Sequence, residues 1–529
     1  MRRWNGWGEC KISLPLPDIA ETYLAQLIGP GQSILDADLD DVVNTVPQSS
    51  LPENPLISTN ALDRVLHARG QSLPDWIAMR SGQIKSFPDG VAFPQQPDEI
   101  RQLLDYAQTY NVAIIPYGGG TSVVGHINPI PEFGPSLTVD LSRMNRLIEL
   151  DEINLLANFE AGVTGPELEM QLQQHGYTLG HFPQSFEYST LGGWIASRST
   201  GQQSIYYGRI DNLLAGGRLE TPIGTFSLPP YPASAAGPDL RQILSGSEGR
   251  LGIIVSAVIR IRKIPEYENF FGTLFPNWEA GILAIQQISQ ERIPVSMMRL
   301  SDADETETML RLSGHYSLVA RVNPVLKALK YGKNRCLLIF GITGENREIG
   351  LIKSQVGRII RQHGGLNAGT MIGKSWKKSR FTTPYLRNTL WEHGYALDTL
   401  ETALAWDQIL PATHAIKQAL ANGLSTQTEI VFSFAHLSHT YPDGASLYIT
   451  YLFRRPSDPE QTLEYWKILK RSASVLIQEH GGTISHQHGV GIDHLPYMDN
   501  EKGILGTGLI EAIINCLDPK RVMNPGKLV

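Results

Sequence analysis

Apolar positions along the chain come in short runs that switch between a spacing of two and a spacing near 3.6, so strands and helices are interleaved. After Pro97, which forfeits no hydrogen bond in the first turn of a helix, Ile100, Leu103, Leu104 and Ala107 recur on one face. This helix feeds a strand over 113–115. Strand-like runs follow over 137–139, 147–150 and 155–161, then a helix over 165–175. Further strands are expected at Leu214, over 225–228 and over 253–262, where Val255, Val258, Ile259 and Ile261 are β-branched and Pro265 closes the run. Short strands mixed with helices predict an α+β domain over 88–265 rather than a regular βαβ array. Residues 266–475 change rhythm, with a helix over 278–290 and strands over 337–342 and 446–453, and are expected to form a second α+β domain covering the first. The leading segment 1–87, broken by Pro and Asn/Asp clusters, reads as loosely organised and wrapped around a larger body. The closing segment 476–529 reads as helix and loop.

At 529 residues the chain exceeds what a single core supports. Its 42% hydrophobic and 18% charged residues are ordinary for a globular protein, and the net charge of -7 argues against nonspecific nucleic-acid binding. Cys10, Cys336 and Cys516 are scattered, which gives no disulfide framework or Cys metal site and suits a reducing, cytoplasmic compartment. No apolar stretch follows Arg2 and Arg3, so no signal peptide is expected. No run of about 18 apolar residues predicts a transmembrane helix, and peripheral membrane contact stays open.

Candidate chemistry begins with Pro116, Tyr117, Gly118, Gly119, Gly120, Thr121 and Ser122, directly after the 113–115 run. Consecutive glycines let the backbone turn with positive φ and expose its N–H groups, and the two hydroxyls add donors. Such a loop is either a tight turn or a pyrophosphate cradle. It is neither a GxGxxG opening a helix nor a P-loop. Three later stretches rich in small and hydroxyl residues fall in the same domain. They are Gln184, Ser185, Phe186, Glu187, Tyr188, Ser189 and Thr190; then Ser197, Arg198, Ser199 and Thr200; then Glu248, Gly249, Arg250, Leu251, Gly252, Ile253 and Ile254. Small residues permit close approach to a flat ligand, and hydroxyls and amides bond its heteroatoms. Four such stretches in one domain point to a flavin dinucleotide.

These loops, together with the runs 3–8, 63–70, 189–194, 246–249, 299–302 and 485–491, resemble the vanillyl-alcohol-oxidase-type FAD proteins and, within them, the alkyldihydroxyacetonephosphate synthases. The likeness extends over nearly the whole chain. It implies an α+β fold in which a two-subdomain FAD-binding domain of the vanillyl-alcohol-oxidase type carries an α+β cap domain. It further implies FAD held noncovalently by the four loops, a lipid-like or other small-molecule substrate, and a homodimer. The reaction implied is an exchange without net oxidation: a fatty acid leaves the dihydroxyacetone-phosphate carbon, and a long-chain alcohol takes its place to give an ether. Such chemistry needs a base, a cation for the phosphate and a proton donor for the leaving carboxylate.

By resemblance Tyr448 matches the catalytic tyrosine, able to take a proton if ionised near a cation, although alone it reads as a core strand residue. Arg387 matches the arginine that binds substrate phosphate, which suits a guanidinium fork. His486 and His488 flank Gln487 in a glycine-bounded turn whose family counterpart is His-His-His. Glutamine hydrogen-bonds but does not titrate, so one acid/base role is expected to be missing. His181 matches an active-site histidine, and Arg299 a structural or cofactor-side charge. Two histidines without Cys or carboxylate at ligand spacing give no reason to expect a metal. Two other readings stay open: an FAD-linked oxidoreductase of a small 2-hydroxy acid, and a flavin-binding protein without turnover.

Overall fold

The computed structural model describes residues 1–312 and 323–529. In the first domain Gly90–Ala92, Ser136–Asp140 and Ala113–Tyr117 form a parallel sheet, extended at one edge by antiparallel Ile57–Ser58. The helix Pro97–Tyr110 starts at the expected proline and buries Ile100, Leu103, Leu104 and Ala107. Beside this sheet stands an antiparallel one, in the order Leu147–Asp151, Leu156–Glu160, Ile253–Arg260, Leu214–Thr221, Gly224–Leu228. Its strands lie where the β-branched runs place them. The closing segment returns here: Asn524 N–H donates to Ile114 O at 2.7 Å, and Met523 bridges to Ile114.

The second domain is a seven-stranded antiparallel sheet in the order Leu366–Asn367, Tyr267–Phe275, Cys336–Gly344, Met297–Ser301, Phe432–Thr440, Gly444–Arg454, Tyr395–Ala405. The pleat sends alternate residues to opposite faces. On Gly444–Arg454, Leu447, Ile449, Tyr451 and Phe453 enter the hydrophobic core with the helices Trp278–Gln290, Asn346–Gln362, Trp406–Asn422 and Pro459–Glu479. Ser446 stays buried, while Tyr448, Thr450 and Leu452 take the other face and line a cavity. Met297, Arg299, Leu337, Ile339, Phe434 and His436 do the same on neighbouring strands.

Two expectations are corrected. The leading segment is well organised, with helices Asp18–Ile28, Leu39–Asn44, Ala61–Leu66 and Leu73–Ser81, and its Trp7 and Trp76 are buried in the core of the second domain. Some of the Asn and Asp residues that looked like breakers belong to helix caps. Asp38 accepts from Asp40 N–H, Asn60 accepts from Leu62 N–H, and Ser72 with Asp75 closes a capping box. The break expected between 475 and 476 lies inside the continuous helix Pro459–Glu479. Among the described residues no helix is long and apolar enough to cross a membrane.

Candidate active site

A cavity of about 870 Å³ lies between the glycine loop and one face of the seven-stranded sheet. The loop glycines are dictated by packing. A Cβ on Gly119 would lie 1.7 Å from the Tyr188 carbonyl oxygen, and Gly120 turns at φ +65°. Pro116 through Ser122 all line the cavity, with Gln184, Ser185, Ser189, Thr190, Ser197, Ser199, Thr200, Glu248, Gly249, Gly252 and Ile254. The four expected stretches therefore meet at one surface. Thr200 Oγ1 and Asn524 Oδ1 are buried there without a hydrogen-bond partner, as polar atoms awaiting a polar ligand would be. This chemistry fits a flavin dinucleotide.

Other residues of those stretches do not line the cavity, and their places correct the expectation. Phe186 stacks on Phe381 at 4.9 Å, and Tyr188 shares a 2.6 Å hydrogen bond with the Tyr385 hydroxyl. Glu187 is half-buried, and burial raises its carboxyl pKa. Arg198 pairs with Asp211 at 2.9 Å, Arg250 donates to the Met523 carbonyl, and Leu251 and Ile253 belong to the first domain's core. Contiguous motif spans include residues whose side chains alternate away from the ligand.

Arg387 reaches the cavity from the helix Leu386–Glu392. Its guanidinium lies 4.3 Å over Trp76, and Nη1 donates to the Gln71 carbonyl at 2.6 Å. Nε and Nη2 are buried and unpartnered. Burial lowers its pKa, with Asp398 and Tyr448 pulling the other way. Tyr448 stacks on His436 at 4.8 Å and stands edge-on to His488 at 6.1 Å. Burial raises the phenol pKa well above its ordinary value, and the Thr399 hydrogen bond and Arg387 only partly offset this. Burial therefore favours Tyr448 as a neutral phenol in the free protein, so the ionised form that could take a proton is the costly one. Arg299 lines the cavity and donates to Glu305 at 2.8 Å, while its Nη2 lies 3.1 Å from His436 Nδ1.

The His-Gln-His turn divides. His488 and Gln487 line the cavity, but His486 does not. His486 lies behind, with Nδ1 3.0 Å from Glu401 Oε1 and Nε2 2.7 Å from the Tyr441 hydroxyl. Both His486 ring nitrogens are thus engaged, while His439 stacks on His486 at 5.0 Å and hydrogen-bonds Ser204; Glu401, His439 and His486 bring their ligand atoms within 4.8 Å of one another. His181 is also outside the cavity, behind Ser199, whose Oγ is 3.2 Å from its Nε2; burial takes its pKa down to about 3, so it is a neutral imidazole.

Several lining or supporting residues escaped sequence reasoning: Gln71, Trp76, His126, Glu401, His436 and Asn524. His126 joins the loops, with Nδ1 2.9 Å from Ser122 Oγ and Nε2 3.1 Å from Glu248 Oε2. Glu248 in turn accepts from Gly491 N–H at 2.8 Å, tying the cradle to the His-Gln-His turn. The available signal for Glu401 was an acid at an alternating position of a strand whose other residues are largely apolar. The far wall is apolar, with Leu312, Leu337, Ile339, Ile372, Trp376 and Phe434.

Residues 88–227 match the FAD binding domain family, and residues 264–528 match the family of FAD linked oxidases, C-terminal domain. The chain is 31% identical to an alkyldihydroxyacetonephosphate synthase of Dictyostelium discoideum, covering 100% of this chain and 93% of the relative. It is 28% identical to the protein of that name from Trypanosoma brucei brucei, covering 100% and 92%. A solved structure of an alkyldihydroxyacetonephosphate synthase superposes with a TM-score of 0.85 at 28% identity, covering 100% of this chain and 99% of that one.

Proposed function

The chain belongs to the FAD-linked oxidases and, within them, to the alkyldihydroxyacetonephosphate synthase family, and from that premise we propose that it exchanges the acyl group of acyl-dihydroxyacetone phosphate for a long-chain alcohol. One observation carries the reading: Arg387 offers two unpartnered N–H groups to the same cavity that holds Tyr448 and His488 and that ends in an apolar wall. A phosphate is the anion a guanidinium fork suits, and an apolar chain is what the far wall suits.

FAD is the cofactor, and when bound it supplies the carbon acceptor and electron sink for an exchange without net oxidation. The loop 116–122 with Thr200 and Asn524 would hold it, noncovalently. Arg387 binds the phosphate and sets the reacting carbon within reach of Tyr448. To take the proton from that carbon the Tyr448 hydroxyl must first give up its own; because burial favours its neutral form, this step gains from rising pH. His488 lends a proton to the departing carboxylate. The alcohol releases its own proton to His488 as the new C–O bond forms, and Tyr448 returns its proton to the carbon, which restores the site. Water is kept from these steps by the apolar wall. The three free cysteines support a reducing, cytoplasmic setting, and a cavity wall suited to an alkyl chain supports contact with a membrane surface; a homodimer is part of the same proposal.

The test supplies FAD-loaded protein with acyl-dihydroxyacetone phosphate and a long-chain alcohol, and reads alkyl product by mass spectrometry beside dye reduction with 2-hydroxy acids. Alkyl product is expected. Hydroxy-acid oxidation without alkyl product overturns the proposal, and neither activity in flavin-loaded protein does so too.

A further inference from the structure

Gln487 stands where a histidine was expected, and its partners show what that position does. Its Nε2 donates to Glu401 Oε2 at 2.7 Å, and its Oε1 accepts the Thr200 backbone N–H at 3.2 Å. The carboxylate only accepts and the amide N–H only donates, so neither end of Gln487 can be reversed. A neutral imidazole would make the same two bonds, but a protonated one would lose the bond from Thr200. The position therefore calls for a donor and an acceptor that stay uncharged, and glutamine meets that need permanently.

Glu401 is the centre of the arrangement. Its Oε1 faces His486, and its Oε2 faces Gln487 and, at 3.6 Å, His488 Nε2. No lysine or arginine pairs with it among the described residues, so the side chains that could bear its counter-charge are the histidines His486 and His488. Of its two histidine neighbours only His488 opens to the cavity. The strand register sets Glu401 directly beside Tyr448, and Tyr448 beside His436.

Resting on the proposed exchange reaction, we propose that Glu401 is a positioning residue that holds His488 against the cavity and favours its protonated form. Gln487 is its tether to Thr200 of the cofactor cradle, and does not compete for that proton. The position of Gln487 thus adds rigidity without a third titrating group. The other groups facing this pair are Lys470 and Asp398 toward His488, and His439, Tyr441 and Tyr448 toward Glu401. Burial lowers the His488 pKa, Lys470 and His486 push it the same way, and Glu401, with Asp398, is what opposes them.

The experiment uses holoenzyme and reads the reaction of each histidine with diethyl pyrocarbonate by peptide mass spectrometry from pH 4.5 to 8, since only neutral imidazole reacts. Attraction across 3.6 Å converts to roughly one to three pH units for effective dielectric constants of 80 to 20. Glu401→Gln is expected to lower the His488 half-point by at least about one unit, with flavin content retained. Turnover should fall about 10- to 100-fold with KM within about threefold, and Glu401→Asp should recover part of it. Gln487→His should leave the His488 half-point in place. An unmoved His488 half-point in flavin-loaded Glu401→Gln overturns the role of Glu401. If that variant does not fold, an unmoved half-point in Glu401→Asp, whose shorter carboxylate should lower it by a fraction of a unit, does the same. A shift of about one unit in Gln487→His overturns the tether. Because labelling requires no turnover, a moved half-point in protein that makes no alkyl product would leave this inference standing while the proposed reaction fell.

Discussion

Replacing Arg387 with methionine separates binding from folding. The native side chain makes one charge-assisted hydrogen bond, to the Gln71 carbonyl, and one stack on Trp76. Such contacts contribute about 1.5–3 kcal/mol and about 2 kcal/mol respectively. Against them stand two buried unpartnered donors, each costing about 1–3 kcal/mol. These contributions nearly cancel, so Arg387→Met should melt within a few degrees of the parent and keep its flavin. Truncating one member of an ordinary buried ion pair would instead cost about 3–5 kcal/mol. Substrate binding is another matter, because the phosphate would complete both free N–H groups. Losing it should cost about 2–5 kcal/mol, or about 30-fold to several thousand-fold in kcat/KM for a phosphate-bearing substrate. The assay pairs thermal melts, with and without acyl-dihydroxyacetone phosphate, with steady-state kinetics. At 100 times the parent's Kd the substrate should stabilise the parent by about 2.7 kcal/mol and Arg387→Met by no more than about 0.9 kcal/mol. A strongly destabilised variant with unchanged kinetics would refute the reasoning and make Arg387 a structural residue.

Gly119→Ala should lose flavin, read as visible absorbance per protein, because its Cβ would meet a backbone oxygen at 1.7 Å; Gly350→Ala, with nothing within 4 Å, should retain it. Glu305 is pushed up by burial but carried further down, to about 2, by Arg299 and His436. Its folded pKa is thus depressed, so its contribution of about 3 kcal/mol is present above pH 4.5 and is lost as pH falls toward 2. Urea melts of Glu305→Gln should show a shallower stability slope than the parent over that window, and parallel slopes would count against it. Acid precipitation should release intact FAD into the supernatant; flavin that stays with the pellet would mean a covalent link.

Much of the architecture was legible in the chain because its signals are local. A proline at a helix start, apolar residues on one helical face, and β-branched alternation each constrain a few neighbouring residues, and the helix Pro97–Tyr110 and the strand Ile253–Arg260 follow from them. Where local signals have two meanings the reading failed: some of the Asn and Asp residues of the leading segment belong to caps, and only burial of Trp7 and Trp76 separates a cap from a loop.

By itself the sequence determined the interleaved α+β plan, the glycine loop as a cradle, and family membership through motifs that each occupy a short stretch. Tertiary structure alone decided which residues face the cavity. The strand order sets Glu401 beside Tyr448, and the turn 485–491 folds back so that His486 goes behind Glu401 while His488 goes in front. It also withdrew His181 behind Ser199 and left Arg387 with two free donors. Such roles depend on contacts between residues more than 80 positions apart, as between Glu401 and Gln487, and no periodicity or spacing within a segment reports on them.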